Sequence, residues 1–483
     1  MRILFILYIT TAICKNNFLS YVLLHMIKKN KNSLVFLTKI VFVATLGGLL
    51  FGYDTAVISG AIGFLQSHFE LSAAMKGWAA SSALIGCVFG AAMSGWINDK
   101  LGRKFTLIVS AILFLVSAIG SAIPQSLTEF IIYRIIGGLG VGAASMTSPL
   151  YISEISPTHL RGRMVSLNQL AIILGMLIVY FINYWISGQG DANWNISTGW
   201  RWMFASEAIP ALLLLILLYT VPESPRWLCQ KNRIKEAESI LKKTHGKDGA
   251  ALEIKNILQS INSNSSKLSN KLNSKIIKRI AVIGISLAAL QQITGINVFL
   301  YYAPEIFKTI AGANTDIALM QTIIIGAVNL IFTIVAIMLV DKVGRKPLML
   351  IGTIGMGISL ASIGFASTFG IVGSWLLPFI LGYIASFAMS VGPVTWVLLS
   401  ELFPNALRGR LMAVATIGMW LANFIVSQTF PMMDEQPWLV ETFNHGFPFF
   451  LYAFFCLVLF GLILILPETK GKSLEEIEEY WKK

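Results

Sequence analysis

The sequence predicts an all-α membrane protein of twelve transmembrane helices in two six-helix halves, and three observations carry that prediction. Of its 483 residues, 55% are hydrophobic and 13% charged, where a soluble domain carries about a quarter charged residues. Apolar stretches recur along the whole chain, each near the roughly 20 helical residues that cross a hydrocarbon core of about 30 Å. Three motifs of unlike composition repeat at almost one spacing: NDKLGRK at 98–104 with VDKVGRK at 340–346, SEISPTHLRGR at 153–163 with SELFPNALRGR at 400–410, and VPESP at 221–225 with LPETK at 466–470. Offsets of 242, 247 and 245 residues, taken from Asp99 to Asp341, Arg161 to Arg408 and Glu223 to Glu468, mark a duplicated six-helix unit.

In chain order, residues 1–35 form an N-terminal extension in which ILFILYITTAI is too short to span a bilayer, and residues 1–25 read either as a misplaced start ahead of Met26 or as a disordered or interfacial extension. The N-terminal half, 36–221, is expected to hold helices over 36–62, 77–98, 105–123, 128–152, 164–187 and 200–221. A linker over 222–275, rich in Lys, Asn and Ser, carries an amphipathic helix around Ile234–Lys243 and a low-complexity SNSSKLSNKLNS run. The C-terminal half, 276–467, is expected to hold helices over 276–307, 319–341, 347–369, 373–401, 410–432 and 446–466, before a tail at 468–483. Pro149, Pro210, Pro304 and Pro393 mark kinks within this plan. Parallel repeats of this kind pack about an axis along the membrane normal.

The formal charge of +13 would suggest a nucleic-acid partner in a soluble protein. Here the positions of the charges read as topology instead. Of 37 Lys and Arg, 31 fall in the leader from Lys28, in alternate loops, in the linker to Arg279 and in the tail, while only Lys76, Arg201 and Lys308 fall near the opposite face. By the positive-inside rule both termini face the cytoplasm of a multi-pass plasma membrane protein, the inner membrane in a bacterium. Cys14, Cys87, Cys229 and Cys456 form no CxxC pair and the five histidines no HExxH arrangement. No disulfide, metal, redox centre or nucleophile–base constellation is therefore expected, and an enzyme is the least favoured class.

Asp54 lies within an apolar helix, where a charge costs about 2.5–3.5 kcal/mol on the translocon scale. It must be neutralised, paired or hydrated. Arg134, at the start of the fourth helix, and Glu207, in the sixth, are the other ionisable residues within the membrane region of the first half. Asp54 and Arg134 form either a static structural ion pair or a switch between an ionised Asp54 paired with Arg134 and a neutral acid that releases it. Gly137, Gly138, Gly140 and Gly142 follow no strand and sit inside a span, so they read as a helix-packing surface rather than a dinucleotide loop.

GGLLFGYDTAVISGA at 47–61, RIIGGLGVG at 134–142, PESPRWL at 222–228, QQITGINVFLYYAPEIF at 291–307 and PETKG at 467–471, together with the paired DxxGRK loops, resemble the sugar porters of the major facilitator superfamily. The resemblance runs from Thr45 almost to the end of the chain. Its nearest branch is that of the bacterial D-xylose:proton symporters, with the facilitative glucose carriers more distant. It implies the major facilitator fold with pseudo-two-fold symmetry, a functional monomer, a monosaccharide and protons as partners, and no cofactor beyond the coupling proton. It also implies proton coupling at Asp54, Arg134 and Glu207, since the uniporters have asparagine at the position of Asp54.

A sugar presents many hydroxyls and flat apolar ring faces, so its carrier needs amides beside aromatic platforms. The positions that match the family's sugar contacts are Gln169, Gln291, Gln292, Asn297, Asn329, Gly392, Trp396, Trp420 and Asn423, flanked by Phe51, Tyr301 and Tyr302. The xylose symporters place glutamines at the positions of Met176 and Met419, so the preferred sugar is expected to differ in one or two hydroxyl orientations, with a hexose such as glucose in competition with xylose. Asp99, Arg103, Glu154, Arg161, Arg163, Asp341, Arg345, Glu401, Arg408 and Arg410 resemble the family's latch, which holds the inside closed and breaks as the halves rock. Two other readings stay open. One is a facilitative carrier; the other is a non-transporting sugar sensor, which the short tail at 468–483 disfavours.

Overall fold

Among the described residues, twelve helices are long and apolar enough to cross a membrane: α1 Ser33–Phe69, α2 Ala73–Leu101, α3 Arg103–Ala122, α4 Leu127–Ile155, α5 Arg161–Ser187, α6 Ala192–Leu218, α7 Lys275–Tyr301, α8 Thr315–Val343, α9 Arg345–Thr368, α10 Ser374–Leu402, α11 Arg408–Asp434 and α12 Phe447–Ile465. A computed structural model of the protein describes residues 31–158, 160–263, 274–371, 373–404 and 407–472, with 476, 477 and 481. The ILFILYITTAI segment, the Met26 start and nearly all of the SNSSKLSNKLNS run lie outside the described residues.

Local chemistry sets where helices begin. The Ser72 hydroxyl accepts from the Met75 N–H at the start of α2, Ser126 accepts from Glu129 at α4 while Glu129 accepts from the Gln125 N–H, and Asn314 accepts from Ile317 at α8. Each cap satisfies an N–H that the helix leaves orphaned. Two boundaries depart furthest from the sequence reading. α1 runs on past 62 to Phe69, because Phe64 and Leu65 continue its buried face. α6 begins at Ala192 rather than at 200: its first turns, ANW and NISTG, are poor helix formers held from outside, by Asp191 accepting from the Trp194 N–H and by Asn195 donating to the Ser187 carbonyl at 2.9 Å.

α7 breaks where the sequence weakens it. Gly295 sits at φ 94°, a conformation that disfavours any side chain, and the chain resumes as Ile296–Tyr301 and then Ala303–Ala311. The Tyr383 hydroxyl donates to the freed Thr294 carbonyl at 2.9 Å.

Equivalent helices pack equivalently in the two halves: α1 on α5 and α7 on α11, α2 on α4 and α8 on α10, α3 on α6 and α9 on α12. The halves meet along two seams, α2 with α11 and α5 with α8. Within the first half the crossing of α2 and α4 is set by backbone contact. A Cβ on Gly138 would lie 1.8 Å from the Ala83 carbonyl oxygen, and one on Gly142 would lie 2.3 Å from that of Cys87. The glycine run is thus the packing surface expected of it, since without a hydrophobic drive between helices in lipid, close approach supplies the attraction. Ile209, Tyr219, Phe365, Leu457 and Ile465 are exposed on the outer surface, as a face toward lipid tails requires.

The linker is more helical than its sequence suggests. Pro225–Gln230 is followed by Ile234–Ser263, with a break at Gly246, so the expected amphipathic helix is the first third of a longer element. Leu228, Ala237, Leu241, Ala250 and Ile257 form its own small core.

Candidate functional site

Asp54, Arg134 and Glu207 converge in the middle of the N-terminal half from α1, α4 and α6. The Arg134 Nη1 donates to Asp54 Oδ1 at 2.7 Å and its Nη2 to the Asp54 backbone carbonyl at 3.0 Å, so the guanidinium grips α1 through both side chain and backbone. Arg134 and Asp54 are 1% and 0% exposed. The Phe204 ring lies 5.5 Å from the guanidinium carbon, a cation–π contact at a desolvated site. The Glu207 carboxyl lies beside that of Asp54, at the loosened turn between Trp200–Ala205 and Ala208–Leu218. Asp54 Oδ2 and both Glu207 oxygens are buried without a protein hydrogen-bond partner. Two carboxyls are therefore buried beside one guanidinium, which bonds only that of Asp54. At most one of them is balanced by it, and the other is held neutral or hydrated.

The residues matched to sugar contacts divide into clusters. At the break in α7, Gln291 donates to the Val391 and Gly392 carbonyls at 3.1 and 2.8 Å, Gln292 donates to Gln291 Oε1 at 3.2 Å, and Asn297 donates to Gln292 Oε1. This chain of amides ties α7 to the Gly392–Pro393 segment of α10. On α11, Asn423 donates to the Tyr301 hydroxyl at 3.4 Å and accepts from Ser427, while Trp420 faces Phe51 of α1 with ring centroids 5.6 Å apart. That ring pair joins the two halves. The Trp420 indole N–H is buried with no acceptor in the protein.

Gln169 on α5 and Trp396 on α10 are half-buried, and Asn329 on α8, Met176 on α5 and Met419 on α11 are buried. Tyr302 stands apart. Its hydroxyl donates to the Ser427 carbonyl at 2.8 Å, its ring packs on Phe430 at 5.2 Å and it is fully buried, which makes it a brace between α7 and α11.

The charged motifs form one joint built twice. Arg103 at the start of α3 makes two bonds of 2.9 Å to Glu154 at the end of α4, and Arg345 at the start of α9 bonds Glu401 on α10 at 3.0 Å. Asp99 and Asp341 add pairs to these arginines at 3.7 and 3.0 Å. Each joint is completed by the motif that ends its half. Glu223 accepts from the Arg103, Lys104 and Ser224 N–H groups, and Glu468 accepts from those of Arg345, Lys346 and Lys470. The Ser224 hydroxyl donates to Glu154 and the Thr469 hydroxyl to Glu401, each at 2.5 Å. A carboxylate on a helix N-terminus is favoured by both the orphan donors and the helix dipole. Burial nonetheless pushes the Glu223 carboxyl above its ordinary range, the three N–H groups opposing that shift.

These ion pairs lie within each half rather than across the gap between the halves. Arg161 instead reaches Glu253 of the linker helix at 3.7 Å, Arg408 donates to the Phe403 carbonyl at 3.4 Å, and Arg163 and Arg410 are exposed. Sequence reasoning did not assign Glu223 and Glu468 to these joints, although the repeat of PES and PET at one spacing was the available signal. It also overlooked a charge cluster at the opposite end, where Lys76 meets Glu305 and Glu435.

Residues 40–481 match the family model described as sugar (and other) transporter. The chain is 49% identical over 475 residues to the D-xylose-proton symporter of Escherichia coli K12, covering 92% of this chain and 96% of that one. It is 43% identical to the arabinose-proton symporter of Bacillus subtilis, covering 93% and 96%. Among solved structures, the inward-open conformation of the xylose transporter from E. coli superposes with a TM-score of 0.81 at 46% identity, covering 92% of this chain and all of that one.

Proposed function

The chain belongs to the sugar transporter family of the major facilitator fold, and from that membership we propose that it is a proton-coupled monosaccharide symporter that imports its sugar by alternating access. The observation that carries the coupling is the buried triad in which one guanidinium pairs with Asp54 while the Glu207 carboxyl lies buried beside that pair. With Asp54 ionised, Arg134 holds α1 by two bonds. A proton on Asp54 removes the charge that draws the guanidinium and leaves Glu207 as its remaining partner. Phe51 lies three residues before Asp54 on one face of α1 and touches Trp420 in the other half, so a loosened α1 alters the contact between the halves. Protonation and rocking are thereby linked through a single helix.

The sugar lies between the halves near the break in α7. The amides of Gln291, Gln292, Asn297, Asn329, Gln169 and Asn423 meet its hydroxyls, and Phe51, Trp396 and Trp420 meet its ring faces. Met176 and Met419 give one wall an apolar character, where a hydroxyl left without a partner is penalised. The substrate class is a pentose or a closely related monosaccharide such as glucose. The excess of Lys and Arg in the DxxGRK set of loops supports an orientation with that end and both termini facing the cytoplasm, and the symmetric joints at that end keep each half rigid while the halves move.

The test is uptake of a panel of labelled pentoses, hexoses and polyols in a transport-deficient host, with and without an uncoupler. Accumulation of one or two monosaccharides that the uncoupler collapses is the expected result. Equilibration unaffected by the uncoupler would reduce the protein to a facilitative carrier.

A further inference from the structure

At the end of the molecule opposite the DxxGRK loops, a lysine from one half is enclosed by two acids from the other. Lys76, in the first turn of α2, is 7% exposed, and its Nζ lies 3.3 Å from Glu435 beyond the end of α11 and 3.8 Å from Glu305 on the helix that continues α7. Lys308, one turn further along that helix, pairs with Glu305 at 3.0 Å. Two cations and two anions thus form a neutral cluster only while the halves are together. Gln428 of α11 extends the contact, donating to the Ala74 carbonyl at 2.9 Å and accepting from the Ser81 hydroxyl at 3.0 Å. Gly63 of α1 lets Glu305 close in, since a Cβ there would lie 2.5 Å from its carboxylate.

We propose that Lys76 with Glu305 and Glu435 forms an ionic latch that holds the external side of the transporter closed. The ion pairs at the cytoplasmic end described above lie within single halves, whereas this cluster crosses between them. Separating the halves at the external end leaves one half with an excess cation and the other with an excess anion. Water must then hydrate groups that the closed state keeps partly dry. A pair whose lysine is nearly buried is screened far less than a surface pair, so it biases the equilibrium rather than decorating the rim. Sugar and proton entering from outside must first break it, which makes Lys76 a determinant of how often the carrier faces outward.

This inference rests on the alternating-access reading, and its test reads conformation rather than transport, so the two fail separately. The full-length protein, with Cys14 replaced by serine, carries spin labels on the exposed Glu70 and Asp316, which lie at the external ends of opposite halves, and is measured in lipid nanodiscs by pulsed EPR. The parent protein is expected to populate mainly the short distance. Lys76→Gln is expected to raise the ratio of long to short distance about tenfold, Glu435→Gln severalfold, and 1 M salt on the parent protein to move it the same way, while Lys76→Arg stays near the parent. Distance distributions unchanged in both Lys76→Gln and Glu435→Gln would overturn the latch. So would a Lys76→Arg protein as open as Lys76→Gln, because shape rather than charge would then hold the gate. Should Lys76→Gln fail to fold, Glu435→Gln and the salt titration decide alone.

Discussion

Replacing Asp54 by asparagine separates coupling from carriage. Asparagine keeps an oxygen at the position that accepts from Arg134 at 2.7 Å and leaves the backbone bond at 3.0 Å untouched, but it removes the site that takes a proton. Orphaning a buried charge costs about 3–5 kcal/mol. Here Glu207 lies beside the pair and supplies a replacement anion, so the loss of stability should stay below that range, at about 1–2 kcal/mol. The functional loss is larger. A proton moving down about 100 mV supplies about 2.3 kcal/mol, which at about 1.36 kcal/mol per factor of ten sustains roughly a 50-fold sugar gradient. In proteoliposomes with an imposed potential, Asp54→Asn should reduce that ratio to one while counterflow of preloaded sugar continues. Accumulation retained by the variant would refute the role of Asp54. Loss of counterflow in a variant that stays monodisperse and melts normally would show that the acid serves binding rather than coupling.

Three further outcomes follow from features described above. Gly138→Ala should destabilise the protein by about 1–3 kcal/mol, because its Cβ would meet the Ala83 carbonyl at 1.8 Å, whereas Gly95→Ala on the same pair of helices meets nothing within 4 Å and should be neutral or slightly stabilising; equal melting temperatures would refute backbone contact at the crossing. Glu223→Gln and Glu468→Gln should each cost about 1–2 kcal/mol and slow transport with little change in sugar affinity, while an equal loss of binding, read by equilibrium titration, would place the joints in the sugar site. The hydrogen bond from His445 to Asp434 holds the imidazole above its ordinary value of 6.5, so this pair's contribution is complete below that value and is lost as pH rises through the raised one. Melting measured from pH 5 to 9 should therefore fall on the alkaline side by under about 1 kcal/mol, and His445→Asn should remove that part of the slope.

Much of this molecule was legible because a bilayer leaves so few solutions. Only helices and closed barrels satisfy the backbone there, so apolar stretches of helical length located the twelve spans among the described residues, and the repeated motifs located the two halves. Asp54, Arg134 and Glu207 were legible for the same reason, since charge in hydrocarbon must find a partner nearby. The start of α6 was hidden by ANWNISTG, whose polar residues are held helical by contacts with α5 and by their own caps. Lys76 was hidden because its strongest partner lies 359 residues away, and one lysine at a helix end carries no local sign of what it will meet. Gln291 illustrates a subtler limit. Its amide reads as a sugar ligand, yet it gives both N–H groups to the carbonyls of α10, so part of its work is to hold a kinked helix in place.

The twin carboxylate joints have a bearing on how the chain tolerates being divided. Glu223 comes from the stretch of sequence just after α6 and Glu468 from that just after α12, so each six-helix bundle fastens its own last helix to its own third one with an acid of its own. A nick in the connecting stretch beyond Ile257 severs neither fastening. Two separately synthesised fragments would each arrive with their internal bolts in place, and what remains for them to do is find one another along the α2–α11 and α5–α8 seams.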